Sequence, residues 1–275
     1  MNSNLILITG GTGKIGSRVA SRLRAQGARV RIASRSGETP FDWHDRTTWD
    51  AALDGVKTVF VVPLDGAVLT RPFVERAQQL GIERVVLMSG RGVDAPGADE
   101  SDPTHADGED AVRGSGIAWT ILRPAWFAQN FSEGMFLDAV LAGELRLPAG
   151  QGASAFVDAD DIAEVAAAAL TQDGHAGQTY ELSGPRALTF TEAAAEISEA
   201  TGRDIRYVPL DPQDFVAELI AQDWPAADAE GYADAIGWIR RGVDSHVSDG
   251  VHRALGRPPR DFTAYAQAAA GAWQR

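Results

Sequence analysis

Cysteine is absent from this chain of 275 residues, and lysine occurs only at Lys14 and Lys57. Without cysteine there is no disulfide framework, no thiolate metal site and no catalytic thiol. No apolar run approaches the roughly 18 residues that a membrane span needs. The N-terminus lacks the basic and long apolar segments of a signal peptide. We therefore expect a soluble cytoplasmic protein with no membrane partner.

Positive charge is scarce as well. The chain has 25 Lys and Arg against 38 Asp and Glu, a formal net charge of −13. Nucleic acids and anionic membranes are bound by clustered positive charge, so this balance disfavours both classes of partner. The five histidines form no H-x-x-x-H pair, and we expect no metal site. The expected partner is a small-molecule substrate, and the expected assembly is a monomer or homodimer.

Short apolar runs alternate with helix-period segments in the first half of the chain, beginning with the apolar run Leu5–Thr9. This alternation predicts βαβ units and a doubly wound parallel sheet of the Rossmann type, an α/β fold. Further strands are expected over residues 29–34, 58–62, 84–88 and 118–122, with a weak edge strand near 39–42.

The pattern changes near residue 130 to helical pieces joined by Gly- and Pro-bearing turns. We expect residues 1–130 to form the dinucleotide-binding core. Residues 131–275 are expected to complete that core and to form a small α+β substrate-binding cap. The helices predicted there cover 162–170, 190–200, 215–220 and 262–270, and the strands 179–182 and 206–208.

A glycine-rich loop follows the first predicted strand directly. Its glycines match the spacing of a dinucleotide-binding loop: one permits a tight turn, one lets the backbone approach a pyrophosphate, and one lets the helix pack on the strand. The N-terminus of the next helix supplies N–H donors and a positive dipole. The predicted cofactor contacts are Gly10, Gly11, Thr12, Gly13, Lys14, Ile15 and Gly16.

The end of the second strand selects the cofactor. An NAD site usually has Asp or Glu at this position to bind the ribose 2′-hydroxyl. This chain has Ser34-Arg35-Ser36 instead. A guanidinium with a neighbouring hydroxyl suits a 2′-phosphate, so Arg35 and Ser36 predict NADP(H).

The order of these elements resembles the atypical branch of the short-chain dehydrogenase/reductase superfamily, which normally carries Tyr-x-x-x-Lys after the fifth strand. None of the four tyrosines has Lys four residues later; His105-Ala-Asp-Gly-Glu109 stands at that place. With Leu122-Arg123-Pro124-Ala125-Trp126-Phe127 and the later segments 156–163 and 179–185, the chain resembles the NmrA-like family, and within it the type-2 NADPH:quinone oxidoreductases. The resemblance runs along the whole chain.

This resemblance implies further site residues. It places Asp42 and Trp43 by the adenine, and Pro63 and Leu64 along the cofactor. It also places Ser89 and Gly90 near the nicotinamide ribose, and the segment from Pro124 to Phe127 at the nicotinamide and substrate mouth. On this basis the expected cofactor contacts include Pro124 and Ala125, and the expected substrate contacts are Trp126, Phe127, Asn130 and Phe131.

The missing Tyr and Lys narrow the reaction. Reduction of a simple ketone gives an alkoxide, which needs a positioned acid. Reduction of a quinone gives a phenolate-like anion with a pKa of about 10, which water can protonate. The expected function is therefore an NADPH-dependent reductase of a quinone or a similarly activated imine or azo compound. His105 is the candidate proton donor, with a helix cap as the alternative, and Glu109 is expected to be structural or solvated.

Two other functions are open from the sequence: a non-catalytic NADP(H)-sensing regulator, and a biosynthetic isomerase or cyclase. The aromatic set Trp126, Phe127 and Phe131 and the lack of a basic tail favour the reductase. Asp160 or Asp161 is expected to cap a helix rather than bind metal. Trp224 and Trp238 are expected on one helix face, either packing the cap or stacking on a flat substrate. The basic cluster Arg253, Arg257 and Arg260 is expected in a solvated turn.

Overall fold

Eleven strands lie in the part of the chain described by the structure, a computed structural model covering residues 4–35, 37–94 and 103–274. They are β1 (Leu5–Thr9), β2 (Arg29–Ser34), β3 (Thr39–Pro40), β4 (Val56–Val61), β5 (Arg84–Met88), β6 (Ala118–Pro124), β7 (Glu144–Leu147), β8 (Ala153–Ser154), β9 (Gln178–Leu182), β10 (Leu188–Thr189) and β11 (Arg206–Pro209).

The helices of the same residues alternate with these strands. They are α1 (Lys14–Ala25), α2 (Trp49–Leu53), α3 (Thr70–Gln79), α4 (Pro103–Gly114), α5 (Asn130–Glu133), α6 (Leu137–Ala142), α7 (Ala159–Thr171), α8 (Phe190–Thr201), α9 (Pro212–Ile220), α10 (Ala226–Arg240), α11 (Gly250–Leu255) and α12 (Phe262–Ala269). No helix within the described ranges is both long and apolar enough to cross a membrane.

Seven strands form one sheet in the order β3-β2-β1-β4-β5-β6-β9. Every neighbouring pair in it is parallel. The order reverses at β1, which pairs with β2 on one side and β4 on the other. The predicted doubly wound parallel sheet is therefore confirmed.

The chain divides into two compact units, and both are discontinuous in sequence. The first comprises Met1–Pro124, Ala159–Leu182 and Asp249–Arg257, and it contains the seven-stranded sheet. The second comprises Ala125–Asp158, Ser183–Ser248 and Pro258–Arg275. The chain thus first passes into the second unit at residue 125, and the segment after 130 contributes to both units.

The core of the first unit includes an apolar cluster on one face of the seven-stranded sheet. Leu7, Val59, Leu87 and Ile121 are fully buried and belong to one apolar cluster, which also contains residues of α2, α3 and α4. Helices α3 and α4 pack against each other, as do α1 and α7. Helices pair in this way when a parallel sheet must be covered on both faces.

The core of the second unit is built around Phe131. Its ring centroid lies 5.0 Å from that of Phe136, 5.2 Å from Phe156, 5.4 Å from Phe262 and 5.9 Å from Phe190. All four of these pairs are tilted or edge-on, and edge-on packing is an arrangement that aromatic quadrupoles favour. Strands β7 and β11 pair in parallel and β8 and β10 in antiparallel fashion within this unit.

One expectation for a helix end and one for a basic side chain are wrong. Helix α7 begins at Ala159, so Asp160 and Asp161 lie in its first turn rather than at its N-cap. The carboxylate of Asp161 is buried and accepts a hydrogen bond from Arg257 at 2.7 Å. Arg257, expected in a solvated turn, therefore binds a buried carboxylate.

The aromatic pair expected on one helix face is also arranged differently. Helix α10 begins at Ala226 after Pro225, so Trp224 precedes the helix that contains Trp238. Trp224 stacks on Tyr232, with 5.8 Å between ring centroids, and is 41% exposed. The spacing alone could not reveal that the proline separates Trp224 from the helix.

Gly250 allows a close helix–strand contact in the first unit. A Cβ at this position would lie 1.9 Å from the carbonyl oxygen of Glu181 in β9. We expect Gly250→Ala to reduce the free energy of unfolding by about 1–3 kcal/mol, because the backbones must separate. Urea unfolding measures the change.

Gly231 supplies the matched control. It lies within α10, and a Cβ there would meet nothing within 4 Å. Gly231→Ala should raise the unfolding free energy by roughly 0.5–1 kcal/mol, because alanine favours the helix. Equal effects of the two substitutions would contradict the close-approach argument.

Candidate functional site

The glycine loop joins β1 to α1 at the carboxyl end of the sheet. Gly10 has a φ of +61°, in the left-handed region that favours glycine. A Cβ at Gly11 would lie 2.7 Å from Cγ2 of Ile32, and one at Gly16 would lie 2.3 Å from the Gly10 carbonyl oxygen. The N-cap of α1 is Gly13, which has no side chain to bond the first N–H groups. These donors therefore suit an anion.

A hydrogen bond fixes the neighbouring strand end beside this loop. The backbone N–H of Val62 donates to Oγ1 of Thr9 at 2.8 Å. Thr9 thus holds the end of β4 next to Gly10, where a Cβ would lie 3.2 Å from Cβ of Val62. The predicted cofactor contacts Pro63 and Leu64 follow directly in the chain, Pro63 buried and Leu64 partly exposed.

The end of β2 presents the groups expected at a ribose phosphate. Arg35 is exposed. The Ser34 hydroxyl oxygen is buried and has no hydrogen-bond partner in the described structure. A Cβ at Gly37 would lie 2.6 Å from that oxygen, so glycine is needed to turn the chain over it. Ser36, the other predicted contact, lies outside the described residues.

Asp42 and Trp43 are held by contacts within the first unit. The Asp42 carboxylate accepts the backbone N–H of His44 at 2.9 Å, and its carbonyl accepts the indole N–H of Trp49 at 3.0 Å. Trp43 is 8% exposed and packs edge-on against Phe41, Trp49 and Phe73. Asp42 is partly exposed, whereas the indole of Trp43 is committed mainly to the core.

A buried ion-pair cluster lies at the ends of β5 and β6. Glu109, 1% exposed, accepts hydrogen bonds from Nε of Arg123 at 2.8 Å on one oxygen and from Nη2 at 2.8 Å on the other. Arg113, one helical turn after Glu109, contacts the second oxygen at 2.7 Å. The Ser89 hydroxyl donates to the first oxygen at 2.7 Å. Arg123 also binds the Asp94 carboxylate at 2.7 Å.

This cluster keeps Glu109 ionised. Burial alone would raise the pKa of Glu109, but hydrogen bonds from Arg123 and Ser89 and the charges of Arg123 and Arg113 outweigh it and hold the pKa below its usual range. The same pairing raises the pKa of Arg123 further above its ordinary value. Glu109 is thus a fixed charge. The expectation of a solvated side chain is wrong, because Glu109 is buried, and the alternative of a structural role stays a prediction.

His105 lies on α4 one helical turn before Glu109 and is partly buried. A Cβ at Gly90 would lie 3.6 Å from Nδ1 of His105, so the imidazole is next to the residue that follows Ser89. The backbone N–H of Ser89 donates to the Leu122 carbonyl at 2.8 Å, and that of Arg91 to the Pro124 carbonyl at 3.3 Å. The first unit therefore brings His105, Ser89, Gly90 and Pro124 to neighbouring strand ends.

The remaining predicted residues belong to the second unit. Trp126 and Phe127 are partly exposed, and Trp126 stacks on Phe136 with 5.9 Å between ring centroids. Ala125 and Asn130 are buried. Phe131 is fully buried, so its side chain has no surface for a substrate and acts only by supporting the rings around it.

Sequence reasoning missed Arg123 and the Ser34 hydroxyl. Arg123 carried a usable signal, because a charge between the apolar residues of a buried strand must be paired. The H-x-x-x-E spacing of α4 placed a carboxylate one turn after His105. In the described ranges no group of three or more His, Cys, Asp or Glu side chains could hold a metal ion.

Known proteins resemble the chain over almost its full length. A family model described as NAD(P)H-binding matches residues 10–173. The chain is 36% identical to an uncharacterized oxidoreductase, YesF, of Bacillus subtilis over 99% of the chain and 98% of the relative. It is 33% identical to the NAD(P)H azoreductase of Xenophilus azovorans over 98% of the chain and 99% of the relative.

A solved structure adds a likeness in three dimensions. The NADPH-dependent quinone oxidoreductase of Escherichia coli, crystallised with NADPH, superposes with a TM-score of 0.76 at 25% identity. The match covers 96% of this chain and 99% of that one. The resemblance inferred from the sequence is thereby confirmed.

The buried ion pair predicts a large stability effect. We expect Arg123→Gln to reduce the free energy of unfolding by about 3–5 kcal/mol, because it leaves the Glu109 carboxylate buried without its main partner. Urea unfolding at pH 7 measures this. The control is Arg146→Gln, which removes an exposed guanidinium paired with Glu218 and should leave the unfolding midpoint unchanged.

The same variant predicts a pH dependence. The pKa of Glu109 is lowered in the folded protein, so its stabilising contribution is complete above the ordinary value of 4.5 and is lost as the pH falls through the lower, folded value. The stability difference between wild type and Arg123→Gln should therefore shrink below about pH 4.5. A difference that stays constant down to pH 3 would contradict the assignment.

Proposed function

The chain belongs to the NAD(P)H-binding family and is an NAD(P)H-dependent oxidoreductase, and from this premise we propose that it is an NADPH-dependent reductase of quinones or similarly activated azo and imine compounds. One observation carries the proposal. Beside the carboxyl ends of β5 and β6, helix α4 carries an ion-paired carboxylate and an imidazole. No tyrosine–lysine acid pair is present there among the described residues.

The residues present fit the cofactor. The loop from Gly10 to Gly16 offers a side-chain-free approach and the uncapped N–H groups of α1, which suit a pyrophosphate. The buried Ser34 hydroxyl has no hydrogen-bond partner among the described residues and lies beside the exposed Arg35. A 2′-phosphate would supply acceptors for both groups, which favours NADPH over NADH. When bound, the cofactor supplies a hydride.

Each tyrosine of the chain is engaged elsewhere. Tyr180 bonds His175 at 2.9 Å, Tyr207 donates to the Leu147 carbonyl at 3.0 Å, and Tyr265 donates to Ser132 at 2.8 Å. Tyr232 stacks on Trp224. Of the two lysines, Lys57 pairs with Glu83 and Lys14 belongs to the glycine loop. A phenol assisted by an ammonium is thus not assembled from these residues.

This chemistry limits the substrate. An alkoxide formed from a plain ketone is a strong base and needs a positioned acid. A phenolate-like quinol anion has a pKa near that of tyrosine, about 10, and takes its proton from water. A cationic iminium carbon needs no proton at all when it accepts a hydride. The azoreductase and quinone oxidoreductase relatives are named for electrophiles of this activated kind.

His105 and Trp126 have the two remaining roles in the proposal. His105 would donate a proton or a hydrogen bond to an electronegative atom of the substrate, since imidazole titrates near neutral pH. Trp126, partly exposed and backed by Phe136, offers an aromatic surface for a flat electrophile. Orientation and exclusion of water are then the protein's main contributions to the rate.

Arg35 tests the cofactor preference. We expect Arg35→Ala to weaken NADPH binding by about 10- to 100-fold and NADH binding by less than about 2-fold, because only NADPH carries the phosphate. Quenching of tryptophan fluorescence measures both affinities. The matched control is Arg29→Ala, an equal loss of charge at the exposed opposite end of β2. Equal weakening of both cofactors by Arg35→Ala would overturn the phosphate assignment.

A substrate panel tests the reaction class. The wild type should oxidise NADPH with a simple quinone, an azo dye and a cationic triarylmethane dye, and not with an aliphatic ketone. His105→Ala should lower kcat for the azo dye by about 10²-fold or more, because the reduced nitrogen needs a proton. It should lower kcat for the quinone less, because water can protonate the quinol anion, and leave the cationic dye unaffected, since that carbon needs no proton. Absorbance at the reduced nicotinamide band measures each rate. Ready turnover of the ketone would refute the proposed class.

A further inference from the structure

The Ser89 hydroxyl has its single proton committed to Glu109. The donor–acceptor distance is 2.7 Å, and both groups are almost fully buried. A serine hydroxyl carries one donor and two acceptor lone pairs. In the described part of the chain, no group donates a hydrogen bond to the Ser89 oxygen. The residue therefore has an unmet acceptor at the carboxyl end of β5, where ligands of such sheets bind.

The ion pair prevents Ser89 from turning its hydroxyl proton away from Glu109 to donate to a ligand. An ionised carboxylate only accepts hydrogen bonds. Arg123 bonds both oxygens of Glu109, and Arg113 contacts the second one, so the carboxylate is held in one orientation. Ser89 is in turn held by its backbone bond to the Leu122 carbonyl. Ser89 thus cannot donate its proton to a ligand without abandoning a charge-assisted bond.

We propose that the buried Arg123–Glu109 pair fixes the Ser89 oxygen as a hydrogen-bond acceptor for an N–H or O–H group of the nicotinamide nucleoside. The inference rests on the proposed NADPH binding. Glu109 and Arg123 are positioning residues in this scheme, because they act through Ser89. The donor is the carboxamide N–H or a ribose hydroxyl, the two kinds of donor on that half of the cofactor.

Substituting Ser89 gives the first test. Ser89→Ala should weaken NADPH binding by about 3- to 10-fold, measured by tryptophan quenching in the absence of any substrate. The matched control is Ser115→Ala, a buried serine that donates to the Val112 carbonyl at the end of α4. This control should keep wild-type affinity. NADPH binding by Ser89→Ala equal to that of the wild type would overturn the inference.

A cofactor analogue distinguishes the two donors. The reduced 3-acetylpyridine analogue of NADPH replaces the carboxamide NH2 by a methyl group and keeps the ribose. If Ser89 accepts from the carboxamide, Ser89→Ala weakens NADPH binding and leaves the analogue unaffected. If it accepts from a ribose hydroxyl, both lose affinity equally. Either result supports the acceptor role.

Glu109→Gln tests whether Ser89 acts as a hydrogen-bond acceptor. The new NH2 group is more strongly disfavoured at the second oxygen position, where it would face Arg123 and Arg113, than at the first, where it would face only Nε–H of Arg123 and the Ser89 hydroxyl. It should therefore take the first position. There it donates to Ser89 and occupies the acceptor. NADPH binding should fall about 3- to 10-fold, and adding Ser89→Ala should cause no further loss. Unchanged or tighter NADPH binding by Glu109→Gln would overturn the inference. It would mean that NADPH binding does not depend on Glu109 holding the Ser89 proton.

The experiment separates this inference from the proposed function. Failure of the wild type to bind NADPH would refute both. Tight binding by the wild type with no effect of Ser89→Ala would refute only the acceptor role. If Glu109→Gln lowers the melting temperature so far that no folded protein is obtained, Ser89→Ala and the analogue still decide the question.

Discussion

The reversal of strand order beside β1 is the constraint on which the cofactor site depends. At such a reversal the connections after the two neighbouring strands run to opposite faces of the sheet, which leaves a crevice between the carboxyl ends of β1 and β4. The loop after β1 must turn sharply there, and Gly10 adopts a positive φ to do so. Gly11 and Gly16 keep side chains out of the same space. The proposed pyrophosphate site thus follows from the topology, and the small glycines keep it open.

A second constraint governs the neighbouring strand ends. The glycine loop needs only small residues, whereas charged side chains lie at the ends of β5 and β6. A buried carboxylate is tolerated only when it is paired, and Glu109 has Arg123, Arg113 and Ser89 around it. The pair joins α4 to β6 and so fixes the helix that carries His105. Stability and chemistry depend on the same contacts at this edge.

Sequence patterns predicted those parts of the protein that are encoded locally. The alternation of apolar runs predicted the parallel sheet, and the loop from Gly10 to Gly16 needed only its own spacing and context. Pairings between distant residues were not predictable in the same way. The bond between Asp161 and Arg257 joins positions 96 residues apart, and no periodicity relates them. Trp224 was misplaced because a helical spacing says nothing about where the helix begins.

The same distinction explains why the sequence alone does not predict the ionised state of Glu109. Its spacing from His105 is visible in the sequence, but its ionisation depends on a guanidinium from another strand. A serine beside a protonated acid could donate or accept, whereas a serine beside a fixed carboxylate has no proton left to give. A serine with no proton left to give and the proposed preference for activated electrophiles therefore have one physical origin. A site whose serine accepts from the cofactor is suited to substrates that receive a hydride and leave their protonation to His105 or water.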